Sequence, residues 1–201
     1  IILTAWGVAA ASNEELNILH KAKEKGILII AAAGNLSTEQ AQYPAAEPSV
    51  LAIGALNEHN QKLPASSFGQ FVDLSAPGAN ILSASAISNT DYSHRDGSSF
   101  SAAMVAAAAA LVRLANTDFS AEEVKLCLKD SIEPLRNIES RYRGKLGTGK
   151  LNIDSSVKCN ILNGSLGSTE NIYLAKGYLR AKQSGYWTID PEGRFKGLRF
   201  K

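Results

Sequence analysis

The run Asp96-Gly97-Ser98-Ser99-Phe100-Ser101-Ala102-Ala103 sets a hydroxyl at the start of a long apolar segment with helical character. A helix N-terminus presents backbone N–H groups that lack intrahelical acceptors, together with a partial positive charge. A serine in its first turn therefore lies beside donors for the oxyanion that forms when the serine attacks a carbonyl, which makes Ser99 a candidate nucleophile. Serines at such positions more often only cap the helix, and this motif taken alone leaves the cap ahead.

A second segment shifts the balance. Ala31-Ala32-Ala33-Gly34-Asn35 places an amide side chain at the C-terminal end of an apolar strand, where open α/β sheets collect their ligand sites. Asn35 supplies a neutral donor. It also suits an ordinary turn after Gly34, since asparagine tolerates left-handed backbone. Either segment is ordinary by itself, and the two in this order are less so.

The elements that must position these residues follow the rhythm of an α/β sheet. Ile1 to Thr4 is a short apolar run ending at Ala5-Trp6-Gly7. Ser12-Asn13-Glu14-Glu15 has capping-box spacing, Leu16, Leu19 and Ala22 recur at helical intervals, and Gly26 stands where a helix would stop. Ile27 to Ala33 is apolar without alternation, as in a parallel strand covered on both faces. Strand, helix and strand predict a βαβ unit in a doubly wound sheet.

Val50 to Leu56 reads as a further buried strand, and Phe71 to Leu74 and Ile81 to Ser83 as shorter ones, with Ala76-Pro77-Gly78 as a turn between them. Phe100 to Ala115 is mostly alanine with one charge, Arg113, which predicts a central helix buried on nearly every face. Ser120-Ala121-Glu122-Glu123 offers a second capping box, and Gly147-Thr148-Gly149 a tight turn. From about residue 160 the composition turns to Gly, Ser, Asn and aromatics, which predicts a small β-like appendage. The expected division is 1–159 and 160–201.

At this point the chain resembles the subtilase family of serine proteases. Ala32-Ala33-Gly34-Asn35 is similar to the family's oxyanion-asparagine segment, and Gly97-Ser98-Ser99-Phe100-Ser101-Ala102 to its Gly-Thr-Ser nucleophile motif. Tyr43-Pro44, Val50 to Gly54, Ser67-Phe68-Gly69, Asp73 to Gly78 and Gly147 to Asn152 fall in family order, so the likeness runs from about Ile1 to Val157. It implies a partial subtilisin-like three-layer α/β fold and a Ser-His-Asp protease acting on polypeptide substrates. In it Ser99 attacks the scissile carbonyl, while its own N–H and the Asn35 side chain hold the oxyanion. It further implies that Ala5-Trp6-Gly7 and Ala32-Ala33-Gly34 form the walls of the S1 pocket and pair with extended substrate. Gln42 is expected near the pocket base.

The pattern departs from the family where the rest of the triad should be. Family order is Asp, His, Ser, yet no aspartate precedes Asp73, and none of the three histidines lies in a His-Gly-Thr motif. His20 is expected on the exposed side of the first helix, His59 in a polar turn, and His94 near Ser99 but poorly directed for a base. Ser98 stands where the family has threonine, Ala103 where it has proline and Met104 where histidine is common. The expected partner is therefore an upstream segment carrying Asp and His. The opening Ile1-Ile2-Leu3, with Met104 the only methionine, is expected to be the middle of a longer product. A non-catalytic, peptide-binding domain is the alternative.

Bulk properties narrow the rest. With 201 residues, 45% of them hydrophobic, the chain can bury a substantial core. The net charge is +2, but residues 171–201 hold seven Lys/Arg against Asp190 and Glu192, or +5, leaving −3 elsewhere. This gives no reason to expect nucleic acid or membrane as the partner, and no run is expected to reach the roughly 18 apolar residues of a membrane span. The interleaved basic and aromatic tail is expected to be a hairpin packed on the domain. Cys127 and Cys159 fit no metal spacing, and whether they pair is open. The resemblance implies no required cofactor, structural calcium held through backbone carbonyls, and a secreted or periplasmic location.

Overall fold

The computed structural model describes residues 1–87 and 90–161, and beyond them the backbone of strands within 173–200. The chain forms two compact units, Ile1–Val157 and Lys158–Lys201.

In the first unit, β1 (Ile2–Thr4), α1 (Asn13–Glu24), β2 (Ile29–Ala32), β3 (Val50–Leu56) and β4 (Leu74–Pro77) lead to a hairpin of β5 (Ile81–Ala84) and β6 (Tyr92–Arg95). Then come α2 (Ser98–Ala115), α3 (Ala121–Asp130), β7 (Ile132–Glu133), β8 (Lys150–Leu151) and α4 (Ile153–Val157). Six strands form one sheet in the order β1-β2-β3-β4-β8-β7, parallel except for β7 against β8. The second unit carries an antiparallel sheet in the order β13-β12-β11-β10-β9, with β9 (Asn160–Ile161), β10 (Tyr173–Ala175), β11 (Tyr178–Arg180), β12 (Gly185–Ile189) and β13 (Phe195–Phe200). The expected packing of the tail's aromatics concerns side chains outside the described residues.

Alternation decides what each sheet face covers. Ile29 and Ala31 of β2 and Val50 and Ala52 of β3 share a cluster with Leu19 and Ala22 of α1. Their neighbours along the strands, Ile30, Leu51 and Ile53, point the other way. On that face lies α2, packed against β1 to β4, with Ala102, Val105, Ala108, Ala109 and Val112 fully buried. A helix on each side of a mostly parallel sheet is the expected three-layer α/β arrangement.

Several expectations need correction. The fourth strand begins at Leu74, because Val72 N–H turns back to Gly69 O (3.1 Å). Ala76 and Pro77 continue that strand instead of forming a turn, paired with Ala55 and Leu56 of β3. The central helix starts two residues earlier than read, at Ser98, and it is not covered all round. Ala103, Ala107, Ala110, Leu111 and Leu114 are exposed, Leu114 at 75%. At 18 residues α2 is also long and apolar enough to cross a membrane by length and composition, contrary to the expectation, but its inner face belongs to the sheet core. Both cysteines, Cys127 and Cys159, are disulfide-bonded.

Candidate functional site

Three chain segments meet at the N-terminus of α2. Gly97 N–H donates to Gly78 O (2.8 Å), and Asp96 Oδ1 accepts from Asn80 N–H (2.7 Å), so the end of β4 sets where the helix begins. Gly97 has φ 151° and ψ 155°, a region open almost only to glycine, and a Cβ there would stand 3.3 Å from Asn35 Nδ2. At Gly78 a Cβ would collide with Ser101 Oγ. The Ser101 hydroxyl in turn lies 3.0 Å from Ala76 O and 3.1 Å from Pro77 O, fastening the first turn of the helix to β4.

Ser98 joins this turn to the end of β2. Its N–H donates to Asn35 Oδ1 (2.9 Å), and its Oγ accepts from Gly34 N–H (3.2 Å). The same Oγ lies 3.1 Å from Gly34 O and 3.0 Å from Asn35 Oδ1, and its single proton serves one of them at a time. Because a donor holds the amide oxygen, Asn35 must present Nδ2 in the other direction, as a hydrogen-bond donor. The following N–H, that of Ser99, is among the first-turn donors with no intrahelical acceptor.

Of two adjacent serines, Ser67 supports the Asn35 loop and Ser66 ties the same stretch to β3. Ser67 N–H donates to Gly34 O (2.8 Å), Ser67 Oγ accepts from Leu36 N–H (3.3 Å), and Ser66 Oγ accepts from Ala55 N–H (3.0 Å). Both are fully buried. Just before them, Lys62 donates to Leu63 O and Pro64 O (2.9 Å each), with its ammonium 5.3 and 5.1 Å from the ring centroids of Phe68 and Tyr142. Burial holds the Lys62 pKa below its ordinary value, the nearby Arg141 adds to this, and Glu139 opposes it.

Ser99 Oγ donates to Ala5 O at 3.1 Å, which brings the candidate nucleophile against the Ala5-Trp6-Gly7 segment. That segment runs on into a two-bond bridge between Val8 and Tyr43 (2.8 Å each way). Gln42 is buried, with its side chain in contact with the space beside both Gly7 and Gly34. Gln42 thus lies next to both Gly7 and Gly34. Ala32 and Ala33 have buried side chains.

The histidines stand apart from this cluster. His20 is exposed on α1 and bonds Glu47 Oε1 at 3.2 Å. His59 lies in a turn closed by Asn57 Oδ1, and His94 is exposed on β6, paired with Leu82. Among the described residues no three His, Cys, Asp or Glu side chains converge as a metal site would require. Sequence reasoning saw Ser98 only as a hydroxyl in place of threonine. Its role as a clamp, like that of Ser67, depends on partners 31 to 64 residues away and left no local signal.

Comparison with known proteins gives a consistent picture. The model of the subtilase family matches residues 1–170. Subtilisin NAT of Bacillus subtilis subsp. natto is 33% identical over 162 residues, covering 79% of this chain and 41% of its own. Subtilisin BL of Lederbergia lenta is 29% identical over 140 residues, covering 70% of this chain and 49% of its own. The solved structure of the prenylagaramide maturation protease PagA superposes with a TM-score of 0.70 at 28% identity, over 78% of this chain and 60% of that one. The chain spans about half the length of the curated relatives it matches.

Proposed function

The chain belongs to the subtilase family, and on that premise we propose that it is the C-terminal part of a serine endopeptidase domain whose aspartate and histidine lie on a segment outside residues 1–201. Ser99 is the nucleophile and Asn35 an oxyanion donor. The observation that carries this is the bond from Ser98 N–H to Asn35 Oδ1, which keeps the Asn35 amide at the first turn of α2 with Nδ2 close to Gly97.

In the proposed reaction the imidazole supplied by the other segment takes the Ser99 hydroxyl proton as Oγ bonds to the peptide carbonyl carbon. The carbonyl oxygen becomes an oxyanion, received by Ser99 N–H and Asn35 Nδ2. The imidazolium then protonates the amine, the C–N bond breaks, and water releases the acyl group by the same route. Substrate lies extended between Ala5-Trp6-Gly7 and the backbone of Ala32-Ala33-Gly34, with Gln42 lending polarity to the base of the pocket.

The partners are a polypeptide substrate and the segment bearing Asp and His, with neither nucleic acid nor membrane required. The reaction needs no cofactor. Structural calcium held through backbone carbonyls would support the domain without entering the reaction. The disulfide-bonded state of Cys127 and Cys159 favours an oxidising location, secreted or periplasmic. Residues 160–201 form a C-terminal extension to the catalytic domain.

A serine without its base is a weak nucleophile, and here the Ser99 hydroxyl donates to a backbone carbonyl instead. That observation favours a second reading, a peptide-binding domain without catalysis. A fluorophosphonate probe separates the two. We expect labelling of the longer gene product, lost in Ser99→Ala, and none of residues 1–201 alone. A folded longer product that stays unlabelled would leave the binding domain.

A further inference from the structure

Lys62 places an ammonium group where a charge is costly. The residue is 8% exposed, and among the described residues its Nζ meets no carboxylate at ion-pair distance. Its partners are Leu63 O and Pro64 O (2.9 Å each) and the rings of Phe68 and Tyr142, which stand edge to face with centroids 4.8 Å apart. Burial, with the like charge of Arg141, holds its pKa below the ordinary value against the pull of Glu139. A charge buried without a counter-ion lowers stability, and an apolar side chain of similar length would fill the space without that cost. What the two carbonyls hold accounts for Lys62 better than packing does.

Those carbonyls open the segment bonded to the Asn35 loop. Ser37 N–H donates to Ala65 O (2.8 Å), Ser67 N–H to Gly34 O (2.8 Å), Leu36 N–H to Ser67 Oγ (3.3 Å) and Phe68 N–H to Thr38 O (3.0 Å). Asn35 lies inside the stretch that these four bonds hold. The loop has little of its own to fix it: Leu36 is 71% exposed, and Ser37 has φ 51°, a left-handed backbone that few non-glycine residues adopt. Its conformation is therefore set by the partner segment. In that segment Leu63 O also accepts from Ser66 N–H (2.9 Å), which closes a turn, and Pro64 has no N–H to contribute. The Lys62 ammonium reaches both ends of it, the carbonyls at 63 and 64 and the ring at 68, where the centroid is 5.3 Å away.

We propose that Lys62 is a positioning residue for Asn35: it ties the carbonyls of Leu63 and Pro64 to the Phe68 ring, and the segment so fixed sets the backbone from which the Asn35 amide is presented. The effect on rate rests on the protease reading, whereas the brace itself does not. Ser98 N–H holds the amide oxygen, and the braced loop holds the main chain that carries it. An oxyanion donor acts only at the right distance from charge that develops in the transition state. Loosening the loop therefore lowers kcat and leaves KM nearly unchanged.

Lys62→Met tests this, since it keeps the stem against the two rings and removes the donors. In residues 1–201 we expect amide exchange at Leu36 and Ser37 to speed about tenfold relative to the buried Ile53, which reports global stability. In the longer product, made with the polypeptide encoded ahead of Ile1, kcat should fall about tenfold with KM within about twofold. Asn35→Ala/Lys62→Met should be no slower than Asn35→Ala alone, because both act through one group. Lys150→Met, at a lysine paired with Glu133, should change neither exchange at the loop nor kcat. Phe68→Leu, which removes the ring at the other end of the tie, should give the same pattern at smaller size and stands in if Lys62→Met does not fold. Unchanged exchange at Leu36 and Ser37 would overturn the proposal whether or not the longer product is active. An equal loss of kcat from Lys62→Met in the Asn35→Ala background would also overturn it, by showing that Lys62 acts elsewhere. A folded longer product that neither cleaves peptide nor takes the fluorophosphonate probe would sink the protease reading, and faster exchange at Leu36 and Ser37 would still uphold the brace.

Discussion

The two sides of the cleft are built differently. The Asn35 corner is held from within the chain on every side: Ser98 grips Gly34 and Asn35, Ser67 grips Gly34 and Leu36, and Ala33 N–H donates to Ile53 O at 2.9 Å. The opposite wall, Ala5-Trp6-Gly7, continues an outermost strand and is fastened by the Val8–Tyr43 bridge and the Ser99 hydroxyl, with Trp6 60% exposed. The groups assigned in the proposed reaction to the oxyanion are thus held by hydrogen bonds within this chain. Preorganised donors cost no rearrangement during reaction, whereas an exposed edge can be completed by another segment.

Substitutions on either side put that contrast to the test. The largest effect should come from Ser99→Ala, which removes all probe labelling of the longer product while changing stability by less than about 0.5 kcal/mol in urea unfolding, since its side chain is not a core group. Next, Asn35→Ala should lower kcat by about 10²–10³ with KM little changed, a range carried over from the oxyanion-hole asparagine of subtilisin, on which it was measured. A rise in KM with kcat unchanged would place Asn35 outside the oxyanion site.

Ser98→Ala should cost about 1–3 kcal/mol in stability, because it leaves the Gly34 N–H without its bond in a part-buried corner and removes a fully buried hydroxyl from its partners. It should also lower kcat, as Asn35 Oδ1 loses one of its two contacts. If activity were untouched, Asn35 would be held well enough by Ser98 N–H alone. On the exposed side Trp6→Ala should raise KM several-fold, leave kcat near its original value and move stability by less than about 0.5 kcal/mol.

The smallest effect concerns the titration of Lys62, beside the rings of Phe68 and Tyr142. Its folded pKa lies below the ordinary 10.5, so between those two values the unfolded chain binds more protons and stability rises with pH. Below the folded value both states are charged and the cost of burial is constant. Unfolding followed from neutral to alkaline pH should therefore show a rise, shared with Lys125, whose pKa burial also lowers, and Lys62→Met should make that rise smaller.

Much of this was legible in the residues. The capping serines, the unbroken apolar run before Asn35 and the glycine before Ser98 report local backbone and burial, which neighbouring residues dictate. Sequence reasoning failed where a residue's fate depended on distant chain. Ala76 and Pro77 look like a turn but are strand because β3 offers them a partner. The hairpin strand Tyr92–Arg95 has no apolar period to announce it.

The order of residues was enough to point to the chemistry: a serine at the start of an apolar helix and an amide at the end of an apolar strand. Which groups hold Asn35 in its orientation, and which face of α2 lies uncovered, were settled by the assembled fold. Hydrogen bonds between residues 31 to 94 positions apart, and burial on one side of a helix, are properties of packed elements and have no local code.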